Sequence, residues 1–172
     1  MRKWLRLASV AGAVLALDAC SKTAVQRNFH LYEQRELIGE YVRLTYIHNP
    51  GAAFGISVGP YSSLVFAVLS IVALAALVAM YAATPPQDRL RLHAIALIAG
   101  GALGNLWNRL VSRAGVLDWI DVGIGNTRWP VFNFADIAVT TGAIILALSL
   151  WREEEAASRG DPTGAAAERR SK

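Results

Sequence analysis

Four apolar runs, each close to the thickness of a lipid bilayer, limit what this chain can become more than any other feature. They fall at about 4–22, 61–82, 90–110 and 134–151. About 20 consecutive, mostly apolar residues coiled as an α-helix cross the hydrocarbon core, and a helix satisfies its own backbone groups there. The 61–82 run carries no charge, whereas Asp18 interrupts the first. With 54% of its 172 residues hydrophobic, the chain reads as one mainly α integral membrane domain over 1–151, with four transmembrane helices. Residues 152–172 are charged and alanine-rich, and are expected to form a disordered cytoplasmic tail.

A net charge of +4 raises the possibility of nucleic acid as a partner. The basic residues sit mostly at segment ends and in the tail, however, where membrane anchoring and topology explain them, so no nucleic-acid partner is expected. The lone Cys20 excludes an internal disulfide framework. Four spans put both termini on one side, with ten basic residues there against seven on the other. This bias orients the N-terminus to the cytoplasm. Trp4 and Trp151 then mark one interface, and Trp107, Trp119 and Trp129 the other, as in aromatic belts.

The connections carry their own signals. Within 27–59, residues 41–48 alternate Val42, Leu44 and Tyr46 against Arg43, Thr45 and Ile47, the period of a half-buried strand. Asn49-Pro50-Gly51 then makes a turn. A small β element over about 41–57 is expected on the outer membrane surface, with Gly51 and Gly55 as loop glycines and His48 as a strand or turn residue. Thr84-Pro85-Pro86 ends the second span, and Asp88 is placed to cap the third. So short a link makes those two helices antiparallel neighbours. Gly100 and Gly104 suit close helix packing. Residues 111–133 form a second outer connection.

Polar residues that are costly beside lipid gather at one level. Asp18 and Lys22 are spaced as an ion pair on one helix face, and Asn105 and Arg109 share a face near the end of the third span. Asn133 and Asp136 open the fourth. With Asn49 and Asp118, all map to the outer end of the bundle, which implies a shared interior pocket. No HExxH or Cys/His spacing supports a metal, since His30, His48 and His93 are scattered. No G-x-S-x-G elbow occurs, and adjacent Ser21 and Lys22 do not make a catalytic pair by themselves. Carboxylates remain. Two held close together share a proton, so that one accepts from water while the other donates to a carbonyl. Asp118 and Asp136 form the preferred pair, with Asp121 as the rival partner. In a plainer alternative, Asp118 caps an interfacial helix and Asp136 caps the fourth span.

Two other classes of function compete. A small proton-coupled transporter needs ionisable groups at successive depths, and the inner halves of these spans offer almost none. A non-catalytic lipoprotein depends on cleavage at Cys20. The 17–20 stretch imitates such a cleavage box, but Asp18 stands beside the cut and three more apolar runs follow, so a retained anchor is expected.

Together the motifs resemble lipoprotein signal peptidase, the bacterial type II signal peptidase. The resemblance runs from Asp18 to about Gly142. It rests on Asp18-x-x-Ser21-Lys22, Asn49-Pro50-Gly51-Ala52-Ala53-Phe54, Gly100-Gly101-Ala102-Leu103-Gly104-Asn105, Val116-Leu117-Asp118-Trp119-Ile120-Asp121 and Phe132-Asn133-Phe134-Ala135-Asp136, in that order. It implies an aspartic endopeptidase with four transmembrane helices and a periplasmic β-cradle in the bacterial inner membrane, without a cofactor. Such an enzyme cuts diacylglyceryl-modified prolipoproteins on the N-terminal side of the lipidated cysteine. Asp118 and Asp136 match the catalytic pair. Asn49, Gly51, Asn105, Arg109 and Asn133 match substrate-binding or supporting positions, and Asp18 and Lys22 a structural pair. Membrane lipid and globomycin-type inhibitors are the other implied ligands, and a monomer is expected. The chain departs from the family at Asn108, where an aspartate beside Arg109 is common, and at Trp119, where a smaller aromatic is usual.

Overall fold

The computed structural model of the protein describes residues 2–51, 59–112 and 114–160. Each apolar run is a helix: α1 (Arg2–Asn28), α2 (Ser62–Ala83), α3 (Arg89–Val111) and α4 (Phe134–Gly160). Among the described residues these four helices are long and apolar enough to cross a membrane, which makes the chain a multi-pass membrane protein. Most of α2 is exposed apolar surface, with Leu64, Val65, Val68, Leu69, Ile71 and Val72 facing outward as lipid contact requires, and only Ser62, Ala67 and Tyr81 buried.

The hub is α3, which packs against each of the other three helices. Its glycines permit this. A Cβ on Gly100 would lie 2.9 Å from Ala11 Cα of α1, and one on Gly101 would lie 2.3 Å from the Ala135 carbonyl oxygen of α4. One on Gly104 would lie 2.7 Å from Asp18 Oδ2. The packing expected of Gly100 and Gly104 is present, and Gly101 belongs to the same strip.

Helix ends follow the sequence signals. Asp88 accepts from the Arg91 amide at 3.0 Å and caps α3, satisfying one of the orphan donors of the first turn. At the same end of the bundle, Lys3 Nζ donates to the carbonyls of Ala82 (2.9 Å) and Thr84 (2.7 Å), and Tyr81 Oη donates to the Lys3 carbonyl (2.6 Å). These bonds tie the start of α1 to the end of α2. The fourth helix runs further than expected, because residues 152–160 continue α4 rather than beginning a disordered tail. Glu and Ala after Trp151 are strong helix formers, so nothing stops the helix there. Residues 161–172 lie outside the described residues.

A four-stranded antiparallel sheet covers the opposite end of the bundle, with strands β1 (Gln34–Ile38), β2 (Val42–Asn49), β3 (Val116–Ile124) and β4 (Thr127–Arg128) in that spatial order. The alternating stretch is β2, and Asn49-Pro50-Gly51 leaves it in a bend. The rest of the expected β element, including Gly55, lies outside the described residues. The 111–133 connection holds two strands. Consequently Asp118 sits in β3 and does not cap an interfacial helix, because Val116-Leu117-Asp118 finds the end of β2 as a ladder partner. The register pairs Asn49 with Val116 and Ile47 with Asp118, across a bulge between Leu44 and Ile47. It delivers Asp118 to the edge of the helix bundle.

Candidate active site

The site is built outward from a buried ion pair. Lys22 Nζ lies 2.6 Å from Asp18 Oδ2, one helical turn apart on α1. Asp18 Oδ1 accepts from the Ala135 amide at 3.1 Å, so the same carboxylate caps the first turn of α4. Lys22 also donates to Asn105 Oδ1 at 3.2 Å. With its oxygen facing an ammonium, Asn105 must turn its amide nitrogen the other way, and Asn105 Nδ2 donates to Asp136 Oδ1 at 2.8 Å.

At the mouth of α4, Asn133 and Asp136 form a reciprocal capping box. The Asp136 amide donates to Asn133 Oδ1 at 3.0 Å, and the Asn133 amide donates to Asp136 Oδ2 at 3.1 Å. Asn133 Nδ2 meanwhile donates to Asp118 Oδ1 at 2.7 Å. Asn49 Nδ2 donates to Asp118 Oδ2 at 3.2 Å, while Asn49 Oδ1 accepts from the Gly51 amide at 3.0 Å. One asparagine therefore touches both carboxylates, and a second amide holds each from the far side.

Asp118, Asp136, Asn49, Asn105 and Arg109 line one cavity of about 420 Å³, which residues 129–132 wall on one side. Arg109 Nη2 donates to the Gly51 carbonyl at 3.0 Å, and Nη1 to the Asn105 carbonyl at 3.3 Å. Its Nε is buried and has no partner among the described residues. Asp118 is only 2% exposed. Burial, and then the nearby Asp136, push its carboxyl up from 3.8 to about 7, against the pull of the Asn49 and Asn133 amides and of Lys22. A carboxyl with that value can hold a proton at neutral pH and still exchange it.

Every site residue named from sequence, Asp18 and Lys22 included, belongs to this connected set. Asp121 does not: it bonds Thr45 and Arg128 instead and is not among the residues lining the cavity. Asp136 does cap its helix, as the plainer alternative had it, and it also faces the cavity. His48 is a strand residue whose ring packs on Tyr46, and it is not among the residues lining the cavity. Asn108 turns to β3, where its Oδ1 accepts from the Leu117 amide at 3.4 Å. A neutral amide at this position therefore helps seat the strand that carries Asp118. Trp119 packs edge-on against Phe134 at 5.4 Å. Sequence reasoning missed the 129–132 wall and Arg128. The Gly125-Asn126 dipeptide between β3 and β4 was the available signal for a hairpin there. No group of three metal-ligating side chains occurs among the described residues.

A four-helix membrane bundle with paired carboxylates in one cavity has the build of a membrane-embedded aspartic peptidase. The family model of peptidase family A8, described as signal peptidase II, matches residues 10–152. The chain belongs to this family, the lipoprotein signal peptidases. It is 43% identical over 138 residues to the lipoprotein signal peptidase of Moorella thermoacetica, covering 80% of this chain and 87% of that one. It is also 43% identical over 147 residues to that of Yersinia pseudotuberculosis, covering 84% and 83%. A bacterial membrane enzyme solved by the in meso method at 2.3 Å superposes with a TM-score of 0.79 at 28% identity, over 91% of this chain and 92% of that one.

Proposed function

We propose that the protein removes signal peptides from prolipoproteins whose cysteine already bears diacylglycerol, cutting on the N-terminal side of that cysteine, with Asp118 and Asp136 as the catalytic pair. One observation carries this reading: both carboxylates line the same cavity and are bridged by Asn133. Asp118, with its carboxyl raised to about 7, enters the cycle as the acid that holds the shared proton, and Asp136 enters as the base. Asp136 takes a proton from water as the water oxygen attacks the scissile carbonyl carbon, while Asp118 protonates the carbonyl oxygen. Collapse of the resulting diol reverses the roles. Asp136 protonates the departing amine as the C–N bond breaks, and Asp118 recovers the proton from the diol. The pair ends as it began.

The rest of the cavity fits a peptide attached to a lipid. Arg109 lines the cavity with its guanidinium fixed by the Gly51 and Asn105 carbonyls, which places a cation beside the substrate backbone. Val131, Phe132, Ile137 and Val139 supply apolar wall for the side chains and the thioether stem. The excess of basic residues on the side of the termini favours an active site at the periplasmic face. Both carboxylates and their amides come from one chain, which supports action as a monomer. Globomycin-type inhibitors would occupy the same cavity. The test is to incubate the enzyme in lipid nanodiscs with a prolipoprotein, with and without its diacylglyceryl group, and sequence the products by mass spectrometry. The expected product begins at the lipidated cysteine and forms only from lipidated substrate. Equal cutting of both substrates, or a cut elsewhere, would overturn the reading.

A further inference from the structure

Asp121 is almost as buried as Asp118, at 4% exposure, yet it takes no part in the cavity. Three residues along a strand place it on the opposite face of β3, where Oδ2 accepts from Thr45 Oγ1 of β2 at 3.2 Å and Oδ1 accepts from Arg128 Nε at 2.9 Å. The Arg128 guanidinium makes two further bonds. Nη2 donates to the Asp121 carbonyl at 3.0 Å, and Nη1 to the Glu40 carbonyl in the β1–β2 turn. A planar fork with fixed donors can satisfy three acceptors at once, and an ammonium cannot do so in this geometry.

The strand that Arg128 belongs to needs such help. β4 is two residues long, and its ladder consists of Gly123 against Arg128 and Ile124 against Thr127. Directly beyond it the chain runs back along β3. The Trp129 amide donates to the Val122 carbonyl at 2.8 Å, and the amides of Trp119 and Ile120 both donate to the Phe132 carbonyl. This run is the cavity wall, and its next residue is Asn133, which bridges the two carboxylates.

We infer that Asp121 and Arg128 are positioning residues for the cleavage reaction: their clamp fixes where the 129–133 run lies along β3, and so holds the Asn133 amide between Asp118 and Asp136. The inference rests on the dyad reading above. Neither residue touches the reacting atoms. Arg128→Lys keeps the charge and removes the fork, so it is the discriminating variant. Thr45→Val is a milder one that removes only the hydroxyl from Asp121.

The test measures kcat, KM, the pH profile of kcat and the thermal melt for wild type, both of these variants, Asp118→Asn and Asp136→Asn in nanodiscs. Folded Arg128→Lys should lose about 10- to 100-fold in kcat, the usual cost of displacing a reacting geometry by about an ångström. The alkaline limb of its profile should move up, because Asp118 loses a hydrogen bond to its ionised form. Lys22 of α1, Asn49 of β2, Arg109 of α3 and Asp136 of α4, the other groups around Asp118, are unchanged in this variant. Thr45→Val should show smaller shifts in the same directions. Wild-type kcat and pH profile in Arg128→Lys, with at most a lowered melting temperature, would overturn the inference. If that variant does not fold, the same result in Thr45→Val overturns it. Should Asp118→Asn or Asp136→Asn stay active, the dyad reading falls and the clamp with it. If both are inactive while Arg128→Lys cuts normally, only the clamp falls.

Discussion

Asn133 uses its backbone amide, its side-chain oxygen and both protons of its side-chain nitrogen within one site. No other residue type presents that set of donors and acceptors at this size. Asn133→Ala should therefore lower kcat by about 100-fold through displaced carboxylates, and weaken the α4 cap by about 1 kcal/mol; steady-state cleavage and a thermal melt separate the two effects. Asp118 gives a pH signature. Its folded carboxyl is raised to about 7 from 3.8 by burial and then by Asp136, so the native state binds that proton more tightly than the unfolded chain. The stability it contributes is complete below about 3.8 and is lost as pH rises through about 7. Asp118→Asn should accordingly lose less melting temperature than wild type between about pH 5 and about pH 8. These polar residues stood out in sequence because a charge or amide within an apolar run is expensive. Arg128 did not, since an arginine in a polar connection costs nothing there and its partner Asp121 can be identified only once β3 and β4 are paired.

Among the elements, the helices were legible to within a turn at most ends, because the bilayer sets their length and Pro85-Pro86 and Asp88 punctuate them. The helix α4 overran its expected end because helix propensity, unlike lipid, does not stop at Trp151. The sheet was half legible. β2 alternates, but β1 is exposed along its whole length and so has no burial pattern to detect, while the strand character of β3 depends on a partner nearly 70 residues away. Glycines set the distances between elements. Gly101→Ala would place a methyl 2.3 Å from the Ala135 carbonyl of α4, costing about 1–3 kcal/mol by overpacking and shifting Asp136 away from Asn105. Cleavage rate and melting temperature should fall together in that variant.

For the molecule as a whole, the candidate active site is also where the elements join. Asp18 and Lys22 connect α1 to α3 through Asn105 and to α4 through the Ala135 amide, and the sheet attaches at the same level through Asn49 and Asp118. Breaking one partner of a buried pair costs about 3–5 kcal/mol, so Lys22→Met should lower the melting temperature and reduce the yield of folded protein. That loss should exceed the loss from either dyad substitution. Placement of the site at one end of the bundle could be read from the sequence, because costly residues from distant segments share one depth. The bridging geometry could not, since it depends on the registers of strands and on which way each amide turns.

The most direct test of the dyad is cleavage of a diacylglyceryl-modified prolipoprotein by purified wild type, Asp118→Asn and Asp136→Asn, each shown by thermal melt to be folded. Both variants should lose about 10²- to 10⁴-fold or more in kcat, the range expected for removing a general acid or base. A folded variant of either aspartate that cuts at the wild-type rate would contradict the pairing of Asp118 with Asp136.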